Sequence, residues 1–192
     1  MDNRPIGFFD SGLGGLTCIR PLMKKLPEEK IIYFGDTART PYGSKATSTI
    51  KAFSNEIAEF LVSKDVKMIV IACNTVSATC VDELQERFPQ IPIVGIIQPA
   101  ACKVADTCGS GNNVGIIGTK VTIASGEYER RIHELNSDVS LLRVMFLVQQ
   151  TILKVSLHLF KVVMKKHLLN GLKNGMRHLW LNIPVLHVMV QD

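Results

Sequence analysis

VKMIVIACNTVS, residues 66–77, decides the fold. An apolar run containing Met68, Ile69, Val70 and Ile71 has the length and β-branched content of a buried strand. It ends on the small polar residues Cys73, Asn74 and Thr75, and a helix is predicted almost at once, from Ser77 to Phe88. Working outward, similar Ile- and Val-rich runs recur at 5–9, 31–34, 92–97, 114–117 and 139–144. Segments of helical spacing lie between them, the clearest having Ile50, Phe53, Ile57, Phe60 and Leu61 on one side and Lys51, Asn55, Glu56 and Glu59 on the other. Strands alternating with helices imply parallel crossovers and a doubly wound α/β fold. Ligands of such sheets bind beyond the carboxyl ends of the strands, so polar residues at strand exits are the candidates for function.

The chain has 192 residues, 46% of them hydrophobic and 20% charged, enough for one or two domains with a core. Five cysteines without a CxxC pair, behind an N-terminus MDNRPIGFFDSG that lacks a secretory layout, point to a reducing, cytoplasmic setting. The formal charge of +5 is confined to the end of the chain. Residues 1–143 balance, whereas Lys154, Lys161, Lys165, Lys166, Lys173 and Arg177 face the single acidic Asp192. A basic nucleic-acid surface on the globular part is therefore not expected. No run of about 18 uninterrupted apolar residues occurs, so no membrane span is expected.

At the first strand exit, Asp10-Ser11-Gly12-Leu13-Gly14-Gly15 is a glycine-rich turn into a helix that fits neither GxGxxG nor a Walker loop. Its glycines read equally as an anion-binding turn or as a tight turn needing glycine. Asp10 is either a cap or a functional carboxylate, and Ser11 could do the capping instead. The second exit, residues 35–43, carries Tyr42 between Pro41 and Gly43, a fixed backbone suited to aiming a hydroxyl or N–H at a ligand. At the third exit, Cys73 at a helix N-terminus is expected to have a thiol pKa below the usual ~8.5 and to be the most reactive thiol. The alternative is a small buried hydrophobe. The fifth exit offers Thr119 and Thr122, the latter a candidate helix cap, with Lys120 as a surface lysine. Cys18, Cys80, Cys102 and Cys108 fall in predicted helices and read as packing, and no His or acidic cluster has metal-ligand spacing.

A phosphatase loop would need Arg six residues after the cysteine, where Thr79 stands. A thiol acyl-transfer enzyme needs a His base, and the only histidine before residue 144 is His133, inside a predicted helix. What remains is a thiolate acting as a base on carbon beside a carboxylate, with Ser, Asn, Thr and Tyr groups for the carboxylates of a small substrate. That describes a cofactor-independent amino-acid racemase.

The runs FFDSGLGGLT (8–17), YFGDTARTPYGSK (33–45), VIACNTVSA (70–78) and GIIGTKVTIASGEYER (115–130) resemble those of glutamate racemases, in the aspartate/glutamate racemase superfamily. The resemblance implies two α/β lobes with glutamate between them, and one cysteine on each side of the α-carbon. It implies that Cys73 is the base acting on D-glutamate, assisted by Asp10. Ser11, Tyr42, Gly43, Asn74, Thr75 and Thr119, with Asp10, match substrate-holding positions. A cell-wall precursor role, a homodimer and the absence of any cofactor are also implied. Residues 1–97 would form the first lobe and 98–143 the start of the second, leaving 144–192 as an atypical basic tail.

The family's second base lies in a late Gly-Cys-Thr-His run, and no cysteine follows Cys108 here. After Arg143 acidic residues vanish until Asp192, while His158, His167, His178, His187 and Trp180 crowd in. Out-of-frame translation could give such a change. The second lobe is then expected to be cut short, the tail to lack native packing and to leave the sheet incomplete, and the chain to be inactive as a racemase. A different reading makes Gln150, Lys154, His158, Lys161 and Lys165 the polar face of a membrane- or partner-docking helix on a non-catalytic module.

Overall fold

The computed structural model describes residues 2–109, 112–146 and 188–191. Its elements run β1 (Ile6–Asp10), α1 (Leu16–Lys25), β2 (Ile31–Gly35), α2 (Thr47–Ser63), β3 (Met68–Ile71), α3 (Asn74–Ser77), α4 (Val81–Arg87), β4 (Ile93–Gly95), α5 (Ile97–Thr107), β5 (Asn113–Thr119), α6 (Lys120–Ser125), α7 (Glu127–Leu135), β6 (Ser140–Phe146) and β7 (Val188–Gln191). Each of the six expected strands is present within two residues of its sequence bounds or overlapping them.

Strands β2-β1-β3-β4 form one sheet, parallel throughout. Residues of β1 are buried without interruption, as a central strand covered on both faces requires. Phe9, Ile69 and Ile71 pack on one face against Ile50, Ile57 and Leu61 of α2 and Leu84 of α4. Ile6 and Phe8 point the other way, toward Cys18, Ile19 and Leu22 of α1. The sheet is therefore wound on both faces. Full burial of Ile50, Ile57 and Leu61 contributes about 1.5–3 kcal/mol each.

Two details of the helical reading are corrected. Phe60 is 41% exposed; it stacks on Phe34 at the rim, and the inner stripe of α2 is completed by Ala58 and Ser54, whose hydroxyl bonds back to the Ile50 carbonyl. The helix predicted from Ser77 to Phe88 is broken into α3 and α4. Thr79 Oγ1 takes the Thr75 carbonyl and the chain tightens at 78–80, which places Cys80 at a helix cap. Cys108 likewise caps α5, so these two thiols sit at helix ends.

The second sheet has the order β6-β5-β7. Strands β5 and β6 are parallel, and β6 runs on to Phe146, past the change in composition. Strand β7 pairs antiparallel with β5, from Asn113↔Gln191 to Ile116↔Val188. Four residues of the tail thus join the sheet that it was expected to leave incomplete: an extended segment can pair with the open backbone edge of β5 whatever its composition. The core of this half joins Ile97, Ala101 and Val104 of α5, Val114 and Ile116 of β5, and Tyr128 and Ile132 of α7. Gly126, at φ +68, ends α6 and starts α7 in a left-handed turn that only glycine adopts freely. Among the described residues no helix is long and apolar enough to cross a membrane. The amphipathic reading of residues 150–165 lies outside the described residues.

Candidate active site

In the order β2-β1-β3-β4 the chain turns opposite ways on leaving β1 and β3, so their carboxyl ends flank the topological switch point. Phe9 pairs with Ile71 in register, and Ala72 N–H donates to the Phe9 carbonyl at 2.8 Å. Asp10-Ser11 and Cys73-Asn74 therefore emerge side by side. Cys73 is 5% exposed and its thiol donates to Ser11 Oγ at 3.4 Å.

Burial pushes the Cys73 thiol pKa up, and the Asp10 carboxylate adds to the effect. Hydrogen bonding from the Ser11 side chain and from the backbone N–H groups of Val76 and Ser11 opposes both without overcoming them. This corrects the expectation of a lowered pKa. The four-residue α3 has too few aligned peptides to offset the loss of water around a thiolate.

Asp10, also buried, accepts from Ser11 N–H at 2.8 Å through Oδ1 and from Gly15 N–H at 2.9 Å through Oδ2. The carboxylate thus braces the turn into α1, and Ser11, which might have been the cap, faces the thiol instead. At the second exit, Tyr42 is 1% exposed and its hydroxyl donates to Asp36, which also accepts from Arg39 Nε at 2.6 Å. Burial and the Asp36 carboxylate hold the phenol pKa far above its usual range. The Tyr42 hydroxyl is committed to this loop, which leaves the backbone around Gly43 as the part of the motif able to meet a ligand.

Residues of both sheets meet at the third and fifth exits. Thr75, Thr119 and Thr122 form a triangle of hydroxyls, with Oγ1–Oγ1 separations of 3.1 Å for Thr75–Thr119, 3.3 Å for Thr75–Thr122 and 3.0 Å for Thr119–Thr122. Thr119, not Thr122, caps α6, accepting from Thr122 N–H at 3.4 Å. Gly43 lies against Thr119 so closely that a Cβ on it would fall 2.3 Å from the Thr119 Cβ, and its carbonyl accepts from Val121 N–H. Asn74 Oδ1 accepts from the Tyr128 hydroxyl at 2.5 Å. A small, half-open hollow of about 10 Å³ is lined by Thr122, Ile123, Tyr128 and Arg143 among others, and not by Cys73.

The structure thus gathers Cys73, Ser11 and Asp10 on one side and Asn74, Thr75, Gly43 and Thr119 on the other, with Tyr42 set back behind the loop. Such an arrangement can hold a carboxylate through hydroxyl, amide and backbone donors and move a proton through sulfur. Sequence reasoning passed over Asp36 and Tyr128. Asp36 follows the strand exit after Gly35, so the rule that singled out Asp10 could have found it. Tyr128 lies four residues before Ile132 on the buried face of α7, a spacing that signals burial but not a hydroxyl partner.

The sequence profile of the Asp/Glu/Hydantoin racemase family matches residues 17–157. The chain belongs to this family. Its relatives within the racemase family include the glutamate racemase of Streptococcus pneumoniae serotype 19F (strain G54), 48% identical over 139 residues, which are 72% of this chain and 52% of that protein. Among solved racemases, glutamate racemase from Francisella tularensis in complex with D-glutamate is 46% identical with a TM-score of 0.69, covering 74% of this chain and 53% of that one. Isoform RacE1 from Bacillus anthracis is 34% identical with a TM-score of 0.76, covering 86% and 61%. This racemase-family chain spans about half the length of the curated relatives it matches.

Proposed function

We propose that this chain carries the D-glutamate-activating half of a glutamate racemase, working without a cofactor on cytoplasmic glutamate destined for cell-wall peptidoglycan. The observation that carries the reading is the Cys73 thiol beside Ser11 at the switch point, next to Asp10 and the Asn74–Thr75–Thr119 donors. Cys73 is the base, Asp10 assists it by fixing the turn that carries Ser11, and Ser11, the backbone of Tyr42 and Gly43, Asn74, Thr75 and Thr119 hold the substrate. Residues 1–97 are taken as the first lobe, 98–143 as the start of the second and 144–192 as a tail of different character.

In the step assigned to Cys73, the thiolate takes the α-proton of D-glutamate, and the C–H electron pair passes into the α-carboxylate that the hydroxyl and amide donors hold. Returning the proton from sulfur to the same face regenerates D-glutamate. Producing L-glutamate requires a second acid on the opposite face, and none of the other four cysteines, Cys18, Cys80, Cys102 and Cys108, matches that base. Loss of one general acid/base typically costs a factor of about 10² to 10⁴.

Each enantiomer incubated in heavy water with the 192-residue chain tests this. D-glutamate should gain α-deuterium while keeping its configuration, L-glutamate should keep its proton, and Cys73→Ala should abolish the exchange. Sustained formation of L-glutamate that disappears in Cys73→Ala would show that another group supplies the second base.

A further inference from the structure

We propose that Tyr33 is a positioning residue for Ser11: its hydroxyl anchors the glycine-rich turn so that the Ser11 side chain stays on the Cys73 sulfur. This role rests on Cys73 being the base of the proposed function and names what holds its hydroxyl partner in place.

Residues 11–15 include Gly12, Gly14 and Gly15, a stretch with little conformational preference of its own, so the turn needs anchors from outside. Asp10 holds its two ends, accepting from Ser11 N–H and from Gly15 N–H. The middle is held by Tyr33, whose hydroxyl donates to the Gly12 carbonyl at 3.0 Å. A carbonyl can only accept, so the sense of this bond is fixed. The space beside that carbonyl exists because residue 35 is glycine: a Cβ there would collide with the Gly12 oxygen.

Strand order explains the reach. Tyr33 lies on β2 in register with Phe8 of β1, and its ring packs against Ile6, Phe8 and Ala72, a place that a phenylalanine ring would fill as well. The hydroxyl reaches the turn from the β2 side of β1, and the turn presents Ser11 on the β3 side, with Oγ 3.4 Å from Cys73 Sγ. Burial first and the Asp10 carboxylate second hold the Tyr33 pKa far above its usual range, against hydrogen bonding from the Leu16 N–H, so the hydroxyl keeps the proton it donates.

The test is Tyr33→Phe in the full chain, read first as the pH at which Cys73 is half-alkylated by a small reagent. The titratable groups around that thiol are Asp10, Tyr33 and Tyr42, and both phenols stay neutral through the thiol range. When the anchor is lost and Ser11 Oγ leaves sulfur, the midpoint should rise by about half a unit to one unit, the scale of a hydrogen bond to a charged group. General loosening would do the reverse, because water reaching the exit relieves the burial that raises the thiol pKa. In a Ser11→Ala background, Tyr33→Phe should move the midpoint no further. Deuterium exchange into D-glutamate at neutral pH should fall about three- to tenfold, the same shift read as thiolate fraction.

A midpoint that stays or falls, or a rise just as large in the Ser11→Ala background, overturns the inference. Undiminished exchange in Tyr33→Phe, where the parent exchanges, overturns it too. If the parent puts no deuterium into D-glutamate, the proposed function fails, and the alkylation midpoints still decide whether Tyr33 holds Ser11 against the thiol. Should Tyr33→Phe fail to fold, NMR of the parent decides: a Tyr33 hydroxyl proton in slow exchange near Gly12 supports the anchor, and a rapidly exchanging one overturns it.

Discussion

Ser11 Oγ lies 3.4 Å from Cys73 Sγ, joining residues that leave adjacent parallel strands on either side of the switch point. The thiol is the donor in this contact, and once it is deprotonated the serine hydroxyl can turn and donate to sulfur. Ser11 is therefore the side chain that lowers the Cys73 pKa against the combined effect of burial and Asp10. Ser11→Ala should raise the pH at which Cys73 is half-alkylated by about one unit, the scale of a hydrogen bond to a charged group. Deuterium exchange into D-glutamate at neutral pH should fall about tenfold. A midpoint that does not move would mean the backbone N–H groups of Val76 and Ser11 suffice.

The same balance sets the order in which thiols react. Cys18 and Cys102 are partly exposed, whereas Cys73, Cys80 and Cys108 are buried. In folded, ligand-free protein at pH 7, a bulky alkylating reagent should label Cys102 and Cys18 before Cys73, as peptide mass mapping will show. Labelling of Cys73 should rise only at a pH above that at which an ordinary thiol ionises. Cys73 reacting first at pH 7 would indicate a stabilised thiolate and contradict its burial.

The alternation of apolar runs with amphipathic segments was enough to read β1 to β6 and the two-sided winding, because a parallel sheet needs continuous apolar strands whatever its ligand. The strand-exit rule reached Cys73, Asp10, Asn74, Thr75 and Thr119 for a similar reason: topology alone puts those positions at one edge. Charge and partner assignments were less legible. Whether Ser11 caps a helix or faces a thiol depends on Gly15 N–H reaching Asp10, a tertiary detail with no sequence period. The Cys73 pKa depends on how completely water is removed from the exit, and helix position alone gave it the wrong direction. Strand β7 had no signal, since pairing to an open edge is a backbone property.

Gly43 couples the loop after β2 to the start of α6. A methyl group there would overlap Thr119, with ideal Cβ contacts of 2.3 Å and 2.5 Å to its Cβ and Cγ2. Gly43→Ala should lower stability by about 1–3 kcal/mol in urea denaturation, as overpacking does, and should weaken D-glutamate binding by separating Thr75 from Thr119. Gly109→Ala is the control, because a Cβ there meets nothing within 4 Å. Equal stability of the two variants would show that the loop gives way at no cost.

Alkaline stability follows from the buried acids. The thiols of Cys18, Cys73 and Cys80 have pKa values raised above an ordinary 9.0, mainly by burial. The phenols of Tyr33, Tyr42 and Tyr128 are raised above an ordinary 10.0 for the same leading reason. As pH climbs past each ordinary value, the unfolded chain releases its proton while the folded protein retains it. The unfolded state then binds fewer protons, so stability falls with rising pH by about 1.4 kcal/mol per pH unit for each proton retained. The contribution is fully present below the unfolded values and is lost as pH rises toward the folded ones. Lowered carboxylates such as Asp2 and Glu83 act in the opposite window and add no slope above neutral pH. The urea midpoint should therefore stay level from about pH 6.5 to 8 and decline from about 8.5 upward, more steeply beyond 10 as the phenols join. Cys73→Ser removes one of the titrating thiols and should flatten the first part of the decline without altering the second. A midpoint that remains level to pH 10.5 would show that these side chains reach solvent in the folded protein, and the closed exit around Cys73 would have to be redrawn.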